Sequence, residues 1–368
     1  MNNFITQFIR IIVAVTFIFS GFVKLIDPLG SAYKFEEYLS GDVLNMEFLT
    51  PYSLHLSVVL ILLEISLGTL LLLGCRAIYT LWGLFLLTLI FLFLTWYSAE
   101  FNKVTDCGCF GDAVKLSPWE TFYKNVVLIV LIVYLMFKRW DIQPIYTQIF
   151  AEKIFLTLFI IYLLTLGYVR RHLPIIDFRP YAVGENIKKG MEFPPDAEGA
   201  VYEDTWIYKV NGEEKEFTTS EKPWEIEGAT YVDRITKTIS EGYVPPIHDF
   251  TMERNGEDLT DKLLQEEKLM LVVMYDLRKT KRKGLKRLKK VTDKALNNGY
   301  LVYAFSASTE EDFQKIKEEY QLDFDLLFCD GTTLKTMIRA NPGIVILNKG
   351  TVTGKWNWRD FRKIRFKD

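Results

Sequence analysis

The sequence predicts an α-helical transmembrane bundle of four to five spans, followed by a soluble α/β domain with a β-rich insert. Three observations predict it. Residues 1–170 are dominated by Leu, Ile, Phe and Val, whereas residues 171–368 are rich in Lys, Glu and Asp. The first part divides into apolar stretches close to the roughly 20 residues that cross a bilayer. Strand and helix signals alternate in the last third of the chain, the mark of an α/β layer structure. A length of 368 residues accommodates two or three domains. The formal net charge of −2 averages two unlike halves, so it points to no class of partner.

The spans read in order as Phe4–Leu25, Tyr52–Gly74, Ala77–Tyr97, Trp119–Phe137 and Ile149–Val169. The fifth is short in its uncharged part, Ile154–Val169, and the first is too long for the apolar core of a cleavable signal peptide. Gly74-Cys75-Arg76 makes a tight turn between the second and third spans. In the loop from Ile26 to Pro51, residues Tyr33, Phe35 and Leu39 alternate with Lys34, Glu36 and Glu37, which suits a short interfacial helix. Arg76 and Lys138-Arg139 would share the cytoplasmic side under the positive-inside rule, with Arg170-Arg171 arguing the other way. That orientation sends the loop holding Cys107 and Cys109, and everything after the fifth span, to the extracytoplasmic side of an inner membrane.

Two ionisable residues fall within spans. Glu64 lies near mid-bilayer and Arg10 roughly 9 Å into the first span at 1.5 Å per residue. Such groups are costly and often functional. Two readings stand: a Glu64–Arg10 pair, or Arg10 snorkelling while Glu64 packs as a neutral structural residue. Cys107 and Cys109 are separated by one glycine and form a candidate redox pair. Their disulfide would close a small, strained ring, which exchanges readily with a thiol. The bland reading is a structural disulfide or two thiols anchoring a loop. The three histidines lie far apart and no metal-ligand spacing occurs, so neither metal nor haem is expected.

Beyond the spans, Val201–Val210 and Ala229–Ile235 read as strands, with a turn at Asn211-Gly212. Leu269–Tyr275 reads as a buried strand. Leu285, Leu288, Val291 and Ala295 follow at helical spacing, then a strand at Tyr300–Phe305 and a helix through Phe313, Ile316 and Tyr320. Asn341-Pro342-Gly343 precedes the strand Ile344–Asn348, and Gly350 turns the chain into Val352–Trp356. Nine of the thirteen residues Arg278–Lys290 are basic. They suit a solvated helix face or a contact with anionic headgroups or an acidic partner; nucleic acid is not expected.

Certain segments carry a family resemblance. The stretch from Phe19 through Ser20, Gly21, Lys24 and Asp27 to Pro28 resembles the end of the first span in DoxX-type proteins, and Glu64 with Gly68 and Gly74 resembles their second span. Cys107-Gly108-Cys109-Phe110-Gly111 resembles the MauE branch, the methylamine-utilisation membrane proteins, itself similar in architecture to vitamin K epoxide reductase. The segment from Asp249-Phe250 onward resembles a thioredoxin-like domain, and by that resemblance Pro342 would be its cis-proline. The expected Cys-x-x-Cys is replaced by Tyr275-Asp276-Leu277-Arg278-Lys279-Thr280-Lys281. The resulting division is a bundle at 1–140, a fifth span and linker at 141–180, a β-rich region at 181–245 and a redox-degenerate thioredoxin-like domain at 246–368.

Three functions fit these readings. The bundle carries or relays a disulfide at Cys107 and Cys109 while the degenerate domain binds a protein partner or thiol substrate. Alternatively, the protein is a non-enzymatic assembly or scaffold factor, or a subunit of a quinone-linked oxidoreductase. Quinone is the one cofactor class left open, although Cys75 would lie across the bilayer and leaves a relay to it incomplete. The lipid bilayer is a partner in each case.

Overall fold

The computed structural model describes residues 2–366 except for 105–107, 115, 200, 211 and 241. Five of its helices are long and apolar enough to cross a membrane: Phe4–Ile26, Glu47–Leu73, Ala77–Phe101, Pro118–Phe137 and Gln148–Val169. The chain is a multi-pass membrane protein with a sheet-containing region behind the spans. The bundle comprises α1 (Asn2–Ile26), α2 (Pro28–Leu39), α3 (Ser53–Leu73), α4 (Ala77–Phe101), α5 (Pro118–Phe137) and α6 (Gln148–Val169). Of these, α2 is the short amphipathic helix between the first two spans. Asp27 caps it by accepting from the Gly30 amide, and Pro28 occupies its first turn, where a missing N–H costs nothing.

Helices α1 and α3 cross closely because a glycine on each lets the backbone of the other approach. A Cβ on Gly21 would sit 2.8 Å from the Ile65 backbone nitrogen, and one on Gly68 would sit 2.9 Å from that of Ile18. Small residues permit this approach where lipid supplies no hydrophobic drive between helices. Val13, Ala14, Phe17, Leu71, Leu81, Leu84 and Ile132 fill the interior among α1, α3, α4 and α5.

Arg10 and Glu64 do not pair. Side chains on a helix lean toward its N-terminus, so Arg10 reaches away from Glu64 and down to the end of α3. Its guanidinium donates to the carbonyls of Leu71 (2.9 Å), Leu72 (2.7 Å) and Gln143 (3.1 Å). Those acceptors include carbonyls that a helix end leaves unpaired, so Arg10 caps α3.

Behind the spans come a one-and-a-half-turn helix α7 (Ile187–Met191) and a three-stranded antiparallel sheet of β1 (Val201–Val210), β2 (Glu213–Thr218) and β3 (Thr230–Ser240), in the order β2-β1-β3. Trp206, Trp224 and Tyr231 cluster edge to face on it.

The second sheet has seven strands in the order β10-β9-β6-β7-β8-β4-β5. These are β4 (Glu253–Arg254), β5 (Glu257–Asp258), β6 (Leu269–Val273), β7 (Leu301–Ser306), β8 (Asp325–Phe328), β9 (Gly343–Asn348) and β10 (Thr351–Asn357). Strands β6, β7 and β8 run parallel, whereas β9 and β10 are antiparallel. Four helices accompany them: α8 (Thr260–Leu263), α9 (Arg282–Asn297), α10 (Glu310–Tyr320) and α11 (Gly331–Met337).

Strand alternation feeds two cores. Leu269, Leu271 and Val273 of β6 point to one face with Leu334 and Met337 of α11. Met270 and Val272 point to the other with Leu285 and Leu288 of α9 and Phe313 of α10. All five β6 residues are buried, as a central strand covered on both faces requires.

Candidate functional site at the bundle face

The polar centre of the bundle lies one turn from the end of α1. Lys24 leans back toward Ser20, its neighbour one turn earlier, and there meets Glu64 of α3. Its ammonium donates to Glu64 Oε1 at 2.7 Å, to Oε2 at 2.8 Å and to Ser20 Oγ at 3.0 Å. Glu64 is fully buried and Lys24 is 5 % exposed. A buried carboxylate needs a cation and hydrogen bonds to hold its charge, and both come from adjacent turns of α1. In the sequence Lys24 stands out only as part of a span-end motif. The signal for its role was the i, i+4 spacing of Ser20 and Lys24, which places both on one helix face.

Ser20 links this cluster to the loop before α5. Its hydroxyl donates to the Cys109 carbonyl at 2.8 Å. Beside Cys109, the Phe110 ring packs against Phe19 at 5.5 Å and lies under the Lys124 ammonium at 4.5 Å. Cys109 is half-buried; Cys107 lies outside the described residues. The other thiols are remote from this loop. Cys75 is buried in the α3–α4 turn against Leu73 and Ala151. Cys329 is fully buried in the core of the larger sheet. Burial pushes its thiol up to about 12, which leaves almost no thiolate at neutral pH.

The larger sheet docks on this same face through Arg339, which follows α11. Arg339 donates to Asp27 Oδ2 at 2.8 Å and to Asp112 Oδ2 at 3.2 Å, and its guanidinium lies 5.3 Å from the Tyr33 ring centre. The two carboxylates come from the cap of α2 and from the Cys109 loop, so one buried cation joins two bundle segments to the sheet. Tyr33 of α2 also meets Tyr275 across hydroxyls 3.4 Å apart. Burial raises the Tyr33 hydroxyl above its ordinary value, with Tyr275 adding to the rise, so both remain neutral donors.

Tyr275 opens the segment that stands where a Cys-x-x-Cys was expected. Asn341 Nδ2 donates to the Asp276 carbonyl at 2.8 Å, and Thr280 Oγ1 donates to Asn341 Oδ1 at 2.8 Å. The Lys281 amide donates to the Asn341 carbonyl at 3.1 Å. The Asn341–Pro342 peptide bond is cis. A hydrogen-bonded brace therefore joins the end of β6 to the loop before β9.

A cleft of about 1410 Å³ opens between the bundle loops and the sheet region. Lys24, Asp27, Gly108 and Asp112 line its bundle side, and Asp177, Arg179, His248 and Arg339 line the other. Asp177 is the centre of a second ionic cluster. It accepts from Arg179 Nε at 2.6 Å and from Lys355 Nζ at 2.6 Å. Burial pushes the Lys355 ammonium down to about 7, with Arg179 adding to the effect and Asp177 opposing it. Burial would raise the Asp177 carboxyl, but Lys355 and Arg179 outweigh it and hold the group below its ordinary range.

Two chemistries can be weighed against this geometry. Among the described residues no His, Cys, Asp and Glu cluster could hold a metal ion. The Lys24 cluster suits a quinone poorly, because its three ammonium protons are already directed at Glu64 and Ser20.

The α2 helix, Lys24, Glu64 and the Cys109 loop all belong to the first five helices, ahead of Arg139. No curated protein and no solved structure matches the chain. Residues 2–138 match the family model described as Methylamine utilisation protein MauE, and this supports a MauE-like membrane protein over the part of the chain that holds the bundle side of the cleft.

Proposed function

We propose that this protein is a membrane thiol–disulfide relay whose exchanging pair is Cys107 and Cys109. The observation that carries the reading is the direct tie from the Cys109 carbonyl through Ser20 to the Lys24–Glu64 cluster. It anchors the loop beside a cleft large enough to admit a polypeptide segment. In the relay, a substrate thiolate attacks one sulfur of the Cys107–Cys109 disulfide. The other sulfur leaves as a thiolate and a mixed disulfide forms. The second substrate thiol, once deprotonated, attacks the mixed bond and leaves with a disulfide. The two electrons and two protons now on the pair pass by the reverse exchange to a disulfide on a partner protein.

Residues 246–368 serve in this reading as a thioredoxin-like domain that lacks its own thiol pair. Support comes from the strand order, with three parallel strands flanked by antiparallel β9 and β10, and from the cis bond before Gly343. Such a domain presents a partner to the loop and performs no exchange. The site faces the extracytoplasmic side, where disulfides persist.

A second reading, a non-enzymatic assembly factor, draws on the Arg339 docking contacts, which join the two regions without any thiol. Labelling intact cells with a membrane-impermeant maleimide, before and after reduction, separates the two. Labelling of Cys107 and Cys109 only after reduction supports the relay. Free labelling without reduction, with Cys→Ser variants that change abundance and leave partner thiols as they were, supports the assembly factor.

A further inference from the structure

The relay leaves one feature without a role: the run of basic side chains on and before α9. Segment 278–290 holds nine basic residues and no acidic one. Arg278, Lys279, Arg282, Lys283, Lys286 and Lys290 are exposed. Arg278 and Lys279 expose 87 % and 81 % of their side chains, and among the described residues the carboxylate paired with them is Asp276, at 3.9 and 3.6 Å. A second basic run follows β10, where Arg359, Arg362, Lys363 and Arg365 are exposed. The Arg287 guanidinium lies 5.5 Å from the Trp358 ring centre and so joins the two runs into one surface.

The height of this surface is set by contacts at the ends of spans. Tyr275 touches Tyr33 of α2, and Arg339 holds Asp27, the residue directly after α1. On the other flank, His172 Nδ1 lies 2.6 Å from Asp360 Oδ2, three residues beyond the end of α6, and its ring stacks on Tyr168 at 4.7 Å. Arg278 is three residues from Tyr275, and Lys363 is three from Asp360. Three residues of chain span at most about 10 Å. The first basic run therefore begins beside the interfacial helix α2, and the second beside the end of α6. Lys363 pairs with Asp360 at 2.8 Å and Lys289 with Asp293 at 3.3 Å, but the basic side chains outnumber these carboxylates, and the excess cations repel each other unless anions cover them.

We propose that these two runs form a basic belt that rests on anionic phospholipid headgroups of the bilayer the bundle spans. The belt holds the larger sheet region at the membrane surface, independently of whether Cys107 and Cys109 exchange disulfides. An acidic protein is the competing ligand for the same charge.

The test uses the full chain in nanodiscs of phosphatidylcholine alone and of phosphatidylcholine mixed with phosphatidylglycerol. A water-soluble amine reagent then reads the exposure of Lys279, Lys281, Lys283 and Lys363, with Lys315 and Lys349 as distant exposed controls. The belt lysines are expected to react several-fold more slowly in the anionic discs, the controls to be unchanged, and high salt to erase the difference. A triple variant, Lys279→Glu with Arg282→Glu and Lys283→Glu, alters only exposed side chains. Phosphatidylglycerol retained on purification should fall roughly fivefold for each surface cation removed. Equal reactivity in the two discs, or unchanged lipid retention by the variant, overturns the proposal and leaves the belt to an acidic protein.

Discussion

Glu64 and Asp177 are both carboxylates at the centre of ionic clusters, yet the clusters are built differently. Glu64 takes one cation, which also donates to the Ser20 hydroxyl beside it, so its cluster is formally neutral and closed. Asp177 takes Arg179 and Lys355 and carries an excess positive charge. The surroundings account for the difference. Glu64 sits between transmembrane helices, where no solvent relieves an uncompensated charge. Asp177 forms part of the cleft wall and keeps 19 % of its side chain exposed. Lys355 can also shed its proton near neutrality, whereas Arg179 cannot. A membrane cluster closes within itself, and a cluster at a wet wall tolerates an imbalance.

The largest effect should come from breaking the closed cluster. Glu64→Ala leaves Lys24 buried without its counter-ion and should cost about 3–5 kcal/mol in thermal unfolding of the reconstituted protein. The double variant Lys24→Met with Glu64→Leu removes both charges and should recover most of that loss. A double variant as unstable as Glu64→Ala would show that closure is not what the pair provides.

Asp177→Asn should cost less, about 1.5–3 kcal/mol at pH 7, the range of hydrogen bonds to a charged group. Its pH dependence sharpens the contrast. The folded carboxyl lies below the ordinary value of 3.8, so its stabilisation is present above that pH and is lost as pH falls through the folded value. The gap between wild type and Asp177→Asn should therefore widen as Lys355 protonates below about 7, and should close below about 4 as Asp177 itself protonates. A gap that stayed open well below pH 4 would contradict the ionised assignment.

These clusters also mark what was legible in the sequence. The five apolar segments, the amphipathic helix at α2 and the alternating strands behind the spans follow from composition and period, which are local. The partner of Glu64 is not local. Arg10 and Lys24 were equally visible in α1, and only the tilt of side chains toward the helix N-terminus, combined with antiparallel packing on α3, selects Lys24. Likewise, Arg339 carries no local mark of its role. Its two carboxylates, Asp27 and Asp112, stand 312 and 227 residues away. The missing thiols of segment 275–281 were readable, whereas the brace from Asn341 that joins this segment to the neighbouring loop depends on tertiary contact.

Arg339 offers the next test, on the boundary between the two regions. In a double-mutant cycle of Arg339→Met with Asp27→Asn, contacting charges should couple by about 1–2 kcal/mol. The same cycle with Asp325→Asn, whose carboxylate pairs with Arg254 and Lys317, should show no coupling. Spin labels on α2 and α11 provide a second readout, because loss of the Arg339 contacts should broaden the distance between them. An unchanged distance would mean that Tyr33 and Tyr275 suffice to hold the regions together.

The smallest effect expected lies where the brace meets α9. A Cβ added at Gly284 would stand 2.7 Å from two ring carbons of Pro342 and 3.0 Å from the Trp358 Cβ. Overpacking of this kind costs about 1–3 kcal/mol, and alanine in place of glycine within a helix returns up to about 1 kcal/mol. Gly284→Ala should therefore destabilise by about 1 kcal/mol, and Gly284→Val by distinctly more, since valine adds bulk without alanine's helical preference. The larger-sheet region should unfold earlier in both variants while the bundle stays unchanged. A stabilising Gly284→Ala would mean that α9 yields to the proline ring, and the loop before β9 would then be held by the Asn341 hydrogen bonds alone.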